Sequence, residues 1–485
     1  MKNKLIKNIV LLLIGSFFIF FSNGKYNFAL AAWLFPIFLL QVSRKEKKIY
    51  SLLVIPLLCG SAFLFSFWYT FSNPTSILFY IPAIIGFFIG LLFYVDRLLY
   101  DRINEFKATL ILPILYTSFD FLSNLFNPLG TMGVLGYSQY EFLSFSQLAS
   151  ITGMWGLTFM ITWFGSVVFW CIENYNNRET ITKGITIYLS ILIPILVYGG
   201  IRLAIPLDNK TVKVSGIHTH DKNEGEKILE TLYRNDTINF KKMNNKVIQD
   251  LTEKSKIEAK SGVKIVVWSE NSFLALKEDE DSLMNALKKF SKQNQIYLVV
   301  TPYIINRGSK SENKTLLLSP SGSIILTHYK YGGNFLEGTV EGNKIIKTVK
   351  TPYGNFTSII CWDGDFPSIV KQAGLENTDI LFIPASDWKE VNPLHATIAV
   401  FRGIENGCSI VRQTRNGLSF MTDPRGKIIT KMDHFETNSW IMSGQVPNKK
   451  MWTLYPIIGD LFGWLSILGF LFLLIKSLSK NITRK

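Results

Sequence analysis

Three residues of the chain have types and positions that suit acyl-transfer chemistry. Cys361 follows an apolar run and precedes glycine and acidic residues, a pattern that predicts a buried strand ending at a sharp turn. Glu270 and Lys330 follow similar apolar runs. A base, a cation and a thiol, each at the end of a strand, are the parts of a cysteine acyl-transfer site.

The other cysteines have simpler interpretations. Cys59 and Cys171 fall in apolar segments, where we expect them to pack. Cys408 shares the polar region with Cys361, so a disulfide between the two is the alternative to a free thiol. The sequence lacks the Cys and His spacing of structural zinc sites, and we therefore expect no metal.

The region that carries these residues, 206–450, alternates strand-like and helix-like runs. We predict strands at 212–217, 263–268, 296–301, 315–318, 323–328, 357–361 and 380–384, and helices at 228–260, 282–293, 368–374 and 393–406. This alternation predicts a layered α/β domain.

The rest of the chain is strongly apolar. The 485 residues are 48% hydrophobic and 14% aromatic, and the apolar residues concentrate in 1–205 and 456–475. Most of the apolar runs are long enough to cross a bilayer as helices. We predict spans near 5–22, 27–42, 51–72, 77–95, 108–126, 148–172, 185–204 and 456–475. The predicted organisation is a transmembrane domain over 1–205, a polar domain over 206–450, and a last helix with its tail over 451–485.

The net charge of +15 raises the alternative of a nucleic-acid partner, which we do not expect. The basic residues cluster in short loops between the apolar runs. With the amino terminus inside, sixteen of them lie on the inner side, against Lys25 alone in the short outer loops. This bias predicts that the polar domain lies outside the cytoplasm.

In their order, Glu270, Lys330 and Cys361 resemble the catalytic triad of the nitrilase, or carbon–nitrogen hydrolase, superfamily. Further segments resemble blocks of the bacterial apolipoprotein N-acyltransferase family, and they lie at 383–388, 402–407, 411–419, 423–426, 135–139 and 453–460. The resemblance implies a multi-span helical membrane domain and a nitrilase-like domain folded as a four-layer αββα sandwich.

The resemblance also implies a reaction and a location. An acyl chain would pass from a membrane phospholipid to the α-amino group of an apolipoprotein, by a ping-pong route through a thioester. Glu270 would move the protons, and Lys330 would stabilise the oxyanion with a backbone N–H near Trp362. We expect no cofactor, and a monomer in the bacterial cytoplasmic membrane with its catalytic domain on the extracytoplasmic side.

Some positions depart from the family pattern. The loop after Lys330 reads Tyr-Gly-Gly-Asn-Phe-Leu-Glu-Gly, in which Glu337 aligns with a glutamate that supports the lysine. Asp363 stands where the family usually has Glu. Further interpretations concern apolar residues in nearby loops, which would admit acyl chains: Phe335, Leu336 and Trp388.

Several residues keep two interpretations. We expect His395 to cap or pack a helix rather than catalyse, and Arg402 with Glu405 to form a simple surface pair. Arg412 and Arg415 would either contact phosphate or pair within the protein. The rival functions are a membrane-tethered amidase that uses water in place of the amine, and a transporter or scaffold that only binds a ligand.

Overall fold

The computed structural model describes residues 2–70, 76–103, 105–207, 210–219, 224–437 and 439–482. The chain divides into two units. One comprises Met1–Asn127, Gly133–Ile205 and Ile458–Lys485, and the other comprises Pro128–Met132 and Pro206–Ile457. Residues 128–132 therefore belong with the second unit, although the sequence places them between two apolar spans.

The first unit is helical. Among the described residues, six helical segments are long and apolar enough to cross a membrane: Asn3–Phe20, Leu78–Tyr100, Glu105–Phe126, Met154–Glu173, Arg178–Ala204 and Leu461–Ser479. Two shorter segments occupy the remaining predicted spans. They are the helix Ala29–Lys45, which contains Pro36, and Tyr50–Ser66, where a π-helical turn leads into an α-helix. The unit is a multi-pass helical membrane domain.

One basic residue counted among the inner loops is buried. Arg44 lies in the last turn of Ala29–Lys45, and its side chain is fully buried. It donates two hydrogen bonds of 2.7 Å to Asp96 of a neighbouring helix, and its guanidinium lies 4.0 Å from the ring centroid of Tyr100. Arg44 therefore forms a buried ion pair that joins two helices, because a buried cation needs a partner. It is not a loop charge.

The second unit contains two six-stranded sheets. The first has the order β14-β1-β2-β3-β4-β5, and the second has the order β13-β12-β10-β8-β7-β6. The first sheet's strands are β1 (Thr211–Ile217), β2 (Ile265–Leu276), β3 (Tyr297–Ile305), β4 (Glu312–Leu318), β5 (Ile324–Tyr329) and β14 (Ile441–Pro447). The second sheet's strands are β6 (Val349–Thr351), β7 (Gly354–Ser358), β8 (Ile380–Phe382), β10 (Ser409–Arg412), β12 (Leu418–Thr422) and β13 (Ile428–Asp433). A short parallel pair joins β9 (Ala385–Ser386) to β11 (Thr414–Arg415).

The sheets pack face to face with helices on their outer faces. One apolar core mixes side chains of both sheets, for example Val267 and Val299 with Phe356 and Phe382. A second core packs the helices Thr237–Lys260 and Glu280–Asn294 on the outer face of the first sheet. The helices Pro367–Leu375 and Leu394–Asn406 belong to the second sheet's side. The fold is the expected αββα sandwich.

Some element bounds differ from the sequence prediction. The predicted helix 228–260 is two helices, Glu224–Tyr233 and Thr237–Lys260. They are separate because Asn235 is left-handed (φ 58°) and Asp236 caps the second helix by accepting a hydrogen bond from the Asn239 N–H. Strand β2 does not end before Glu270 but continues to Leu276. Its register against β3 shifts on both sides of Glu270, and the pairing with β3 continues beyond these shifts.

Candidate active site

The first sheet contributes a carboxylate and a cation that contact each other. Glu270 lies at the irregular part of β2, between two shifts of register against β3, and it is 1% exposed. Lys330 directly follows β5 and is 2% exposed. The Lys330 Nζ donates to Glu270 Oε1 at 2.8 Å. The same ammonium also donates to Glu337, so two carboxylates share one buried lysine.

Asn313 completes this arrangement, and the sequence prediction missed it. It lies in β4, whose first residue is Glu312, whereas the sequence prediction began that strand at Thr315. The fully buried Asn313 amide donates to Glu270 Oε1 at 2.7 Å and to Glu337 Oε2 at 3.3 Å. A polar residue just before an apolar run looks like a loop residue, and only the pairing of β4 with β3 reveals its position.

The charges on this side stabilise one another. Burial alone would lower the pKa of Lys330, but the nearby Glu270, Cys361 and Glu337 outweigh burial and raise it. The lysine is therefore an ammonium. Glu270 Oε1 accepts from both Lys330 and Asn313, while its buried Oε2 has no hydrogen-bond partner among the described residues. This oxygen is therefore left without a donor among the described residues.

The second sheet contributes the thiol at a turn. After β7 the chain stays extended to Ile360, and Cys361 then begins the 3₁₀ turn Cys361–Asp365 with φ 43°. Its N–H donates to Pro384 O at 2.9 Å, which fixes the turn to the end of the neighbouring strand. A left-handed non-glycine residue carries strain that the surrounding structure must maintain, and such residues concentrate at active sites.

The resting thiol is neutral. Burial raises the pKa of Cys361 well above its usual value, and the negative charge of Glu270 adds to this effect, while Lys330 opposes it. Cys361 and Cys408 are both free cysteines, so the alternative of a disulfide between them is wrong. A neutral thiol needs a base at the moment of attack.

Asp363 holds the cysteine turn against the lysine loop. Its carboxylate accepts from the backbone N–H groups of Tyr331 at 3.0 Å and Gly332 at 2.7 Å. It also accepts from Ile360 N–H at 2.9 Å and contacts His328 Nε2 at 2.9 Å. One fully buried carboxylate therefore fixes the segments that carry both Cys361 and Lys330.

Trp362 packs on the same loop. A Cβ on Gly333, which is left-handed at φ 79°, would lie 2.7 Å from the Trp362 ring, and one on Gly332 would lie 2.8 Å from the Trp362 backbone. Glycine is needed at both positions because a side chain would collide with Trp362. The unusual glycine pair of the sequence thus allows the lysine loop to lie directly on the cysteine turn.

The residues expected to contact acyl chains differ in their surroundings. Phe335 and Leu336 lie on the short helix Asn334–Glu337 and are 56% and 49% exposed. Trp388 is partly buried, and its ring centroid lies 5.7 Å from that of His395 and 6.4 Å from that of Trp362. Phe335 and Leu336 are therefore the more accessible apolar side chains.

Two arginines on the second sheet's side pair with buried carboxylates. Arg412 is buried and donates to both oxygens of Asp387, at 2.8 and 2.9 Å, so it pairs within the protein. Arg402 and Glu405 form an ion pair of 3.0 Å with both side chains fully buried. The prediction of a surface pair for Arg402 and Glu405 was wrong, because i, i+3 spacing does not reveal which face of a helix is covered.

The structure also gathers Cys361, Asp387 and His395, whose potential ligand atoms lie within 4.8 Å of one another. These types of ligand suit a soft metal ion. However, the Arg412 guanidinium already binds both oxygens of Asp387, so that carboxylate is engaged in an ion pair within the protein. We therefore treat the group as a cluster of ionisable side chains.

Comparison with known proteins identifies both parts of the chain. The sequence model of the carbon–nitrogen hydrolase family matches residues 244–450, which include Glu270, Lys330 and Cys361. The model of the apolipoprotein N-acyltransferase N-terminal domain matches residues 15–198. The chain belongs to the apolipoprotein N-acyltransferase family. The two matched regions correspond to the sandwich and to the helical unit.

Named relatives of the family align over most of the chain. Apolipoprotein N-acyltransferase 2 of Treponema denticola is 26% identical over 395 residues, which cover 72% of this chain and 71% of the relative. The apolipoprotein N-acyltransferase of Borreliella burgdorferi is 24% identical over 484 residues, covering 90% and 88%. The chain is thus similar to bacterial membrane acyltransferases along both of its units.

Solved structures of a carbon–nitrogen hydrolase and of an amidase each align with about half of this chain. A carbon–nitrogen hydrolase of Helicobacter pylori aligns with 49% of this chain and 89% of its own, at 15% identity and a TM-score of 0.38. An amidase of Nesterenkonia aligns with 50% and 93%, at 13% identity and a TM-score of 0.39. Scores this low carry no argument about function.

Proposed function

We propose that the chain moves a fatty acyl chain from a membrane phospholipid to the α-amino group of the diacylglyceryl-cysteine of an apolipoprotein, by way of a thioester on Cys361. The observation that carries this proposal is the Lys330–Glu270 ion pair in the same unit as a cysteine on a strained turn. The match of the helical unit to the apolipoprotein N-acyltransferase N-terminal domain, and the relatives of that name that align over most of the chain, support the choice of substrates.

In the first half-reaction, the Cys361 sulfur attacks the ester carbonyl of the phospholipid while Glu270 Oε2 takes the thiol proton. The carbonyl oxygen gains the negative charge, and the Lys330 ammonium stabilises it. When the C–O bond of the ester breaks, Glu270 returns the proton to the departing lysophospholipid oxygen. The products are the acyl thioester and a lysophospholipid with a free hydroxyl group.

In the second half-reaction, the neutral amine of the apolipoprotein attacks the thioester carbonyl, and Glu270 takes a proton from the attacking nitrogen. The oxyanion again faces Lys330. The C–S bond breaks as the amide forms, and Glu270 returns its proton to the sulfur. The enzyme recovers its neutral thiol, and both half-reactions use the same base and the same cation.

The test separates acylation from transfer. After incubation of the full chain with phospholipid vesicles, we expect one added acyl mass on the peptide that contains Cys361, removable by hydroxylamine. Addition of a diacylglyceryl-cysteine peptide should then yield the N-acylated peptide and free enzyme. Release of free fatty acid at the same rate without the peptide would support the amidase interpretation and contradict the proposal.

We further propose that the catalytic unit lies on the extracytoplasmic side of the bacterial cytoplasmic membrane. The charge bias of the loops supports this orientation. A labelling experiment should avoid Asn313, which the sequence places in a loop but which is buried. Lys310 is exposed in the same unit, and Lys47 is exposed beside the helix Ala29–Lys45.

In intact spheroplasts, a membrane-impermeant thiol reagent should label Lys310→Cys, and it should label Lys47→Cys only after the membrane is opened. Labelling of the Lys47 position alone in intact spheroplasts would place the catalytic unit in the cytoplasm and contradict the proposed orientation.

A further inference from the structure

His395 is buried between two carboxylates that the triad does not use. It lies near the start of the helix Leu394–Asn406 and is 4% exposed. Its Nε2 lies 3.4 Å from Asp365 Oδ2, and its Nδ1 lies 3.4 Å from Asp387 Oδ1. Each ring nitrogen thus faces a carboxylate oxygen, and an ionised carboxylate can only accept hydrogen bonds. This arrangement favours the doubly protonated imidazolium, in which both ring nitrogens can donate.

Two indole rings cover the same imidazole. The ring centroid of Trp362 lies 5.8 Å from that of His395, and the centroid of Trp388 lies 5.7 Å from it. Aromatic rings attract a cation. Burial alone would lower the pKa of His395, but Asp365 and Asp387 outweigh burial and raise it.

The ionisable groups around His395 come from several elements. The cysteine turn contributes Cys361 and Asp365, the segment after β9 contributes Asp387, strand β10 contributes Arg412, and the histidine's own helix contributes Arg402 and Glu405. Arg412 neutralises Asp387, and Arg402 neutralises Glu405. The charge of His395 is thus balanced chiefly by Asp365, whose pKa burial raises to about 6.

The triad alone supplies little positive charge to the sulfur. Lys330 is the cation of the triad, but Glu270 and Glu337 both bind its ammonium. Together these three groups carry no excess positive charge, and Glu270 itself opposes ionisation of Cys361. Arg412 also lowers the pKa of Cys361, but Asp387, with which it pairs, raises it. A further cation close to the sulfur would offset the remaining effect of burial and of Glu270.

We propose that His395 is a positioning residue for the nucleophile: held as an imidazolium between Asp365 and Asp387, it stabilises the thiolate of Cys361. The ligand atoms of His395 and Cys361 lie within 4.8 Å, close enough for this effect. The inference rests on the proposed nucleophile, but it concerns ionisation of the thiol and not the identity of the acyl donor or acceptor.

The test measures how fast iodoacetamide alkylates Cys361 from pH 5 up to the pH at which the rate levels off, by mass spectrometry of the Cys361 peptide from the full chain in detergent. No acyl substrate is present, so the result is independent of the proposed function. His395→Gln removes the cation and should move the midpoint of the profile up by about one pH unit or more. Alkylation at neutral pH should then fall about tenfold.

Two variants separate charge from packing. His395→Lys keeps a cation and should keep the midpoint closer to wild type than His395→Gln does. The matched control is His434→Gln, which removes another buried imidazole of the same unit, beside Phe435, and should leave the midpoint unchanged. Equal midpoints in wild type and His395→Gln would overturn the proposal.

The wild-type protein gives a test that does not depend on folding of a variant. As His395 loses its proton at rising pH, it should stop assisting the thiol, and the alkylation profile should show a second inflection besides that of Cys361. A profile with one inflection over the whole range would overturn the proposal.

Discussion

The two sheets of the sandwich hold their candidate catalytic groups in opposite ways. On the first sheet, Glu270, Lys330 and Asn313 contact one another and keep their charges in balance. On the second sheet, Cys361 is a neutral thiol on a strained turn, and burial disfavours its charged form. The first sheet holds a network whose charges are already paired. The thiol on the second sheet reacts only after it loses a proton.

The difference indicates which kind of substitution each side should tolerate. A charge network fails when one member is removed, because the remaining buried charges are left without partners. A nucleophile on a strained turn loses its reactivity when its sulfur is replaced, while the protein around it can stay folded. The variants below test this contrast, from the largest expected effect on activity to the smallest.

Replacement of the nucleophile should have the largest effect. Cys361→Ser should lower acyl transfer by more than about 10³-fold, since a hydroxyl is far harder to deprotonate than a thiol. The thermal midpoint should change little, because the two atoms are similar in size. The matched control, Cys408→Ser, changes another buried cysteine of the same unit and should keep its activity. Full transfer by Cys361→Ser would exclude the thioester route.

Lys330→Met should lower the rate of Cys361 acylation by about 10²–10³-fold, because it removes the cation that faces the oxyanion. It should also destabilise the fold, since Glu270 and Glu337 lose their shared partner.

Lys314→Met is the matched control. Lys314 is also buried between two carboxylates, Glu280 and Glu312. Lys314→Met should lower the stability of the protein, while the folded variant should acylate Cys361 at the wild-type rate. Equal losses of rate in the two variants would show that Lys330 acts only on folding.

Asn313→Leu should have an intermediate effect. The substitution keeps the volume but removes the amide that donates to Glu270 and Glu337. Loss of a hydrogen bond to a charged group costs about 1.5–3 kcal/mol, which corresponds to a rate loss on the order of ten- to hundredfold if it falls on the transition state. Asn244→Leu removes another buried amide, which accepts from Leu274 N–H, and serves as control. Wild-type acylation by Asn313→Leu would exclude a role in the network.

Phe335→Ala should have the smallest effect. The side chain is exposed beside Glu337, and we expect it to contact the acyl chain and not the reacting atoms. The KM for a long-chain phospholipid should rise several-fold, with little change for a short-chain one, because less apolar surface is buried on binding. Tyr233→Ala, on another exposed aromatic side chain, is the control. A fall in kcat with an unchanged KM would place Phe335 in the chemistry instead.

The sequence predicts a layered α/β domain and the membrane helices well, because both depend on the periodicity of apolar residues. The four-layer sandwich itself was implied by the family resemblance. It also marks Glu270, Lys330 and Cys361 as candidates, since each follows an apolar run that predicts a strand. Asn313 and the burial of Arg402 with Glu405 are not predictable in this way. Their surroundings depend on strands and helices that are distant in the sequence, and a local pattern does not record such contacts.

The backbone at the two catalytic strand ends shows the same limit. The sequence predicts that β2 ends before Glu270, but the strand continues, because the pairing with β3 resumes at Leu274 after an irregularity. A sharp turn after the apolar run was predictable from the glycine and acidic residues that follow Cys361. The left-handed conformation of Cys361 itself was not, since that conformation is rare for cysteine and is maintained by tertiary contacts such as Pro384 O.

The short helix Asn334–Glu337 lies between two left-handed glycines, Gly333 and Gly338. A rotation about these two points would carry Phe335 and Leu336 away from the loop and would separate Glu337 from Lys330 in the same movement. Widening an entrance for a lipid tail would then release one of the two carboxylates from the lysine. The timing of substrate entry and the availability of the cation would be coupled by a segment of four residues.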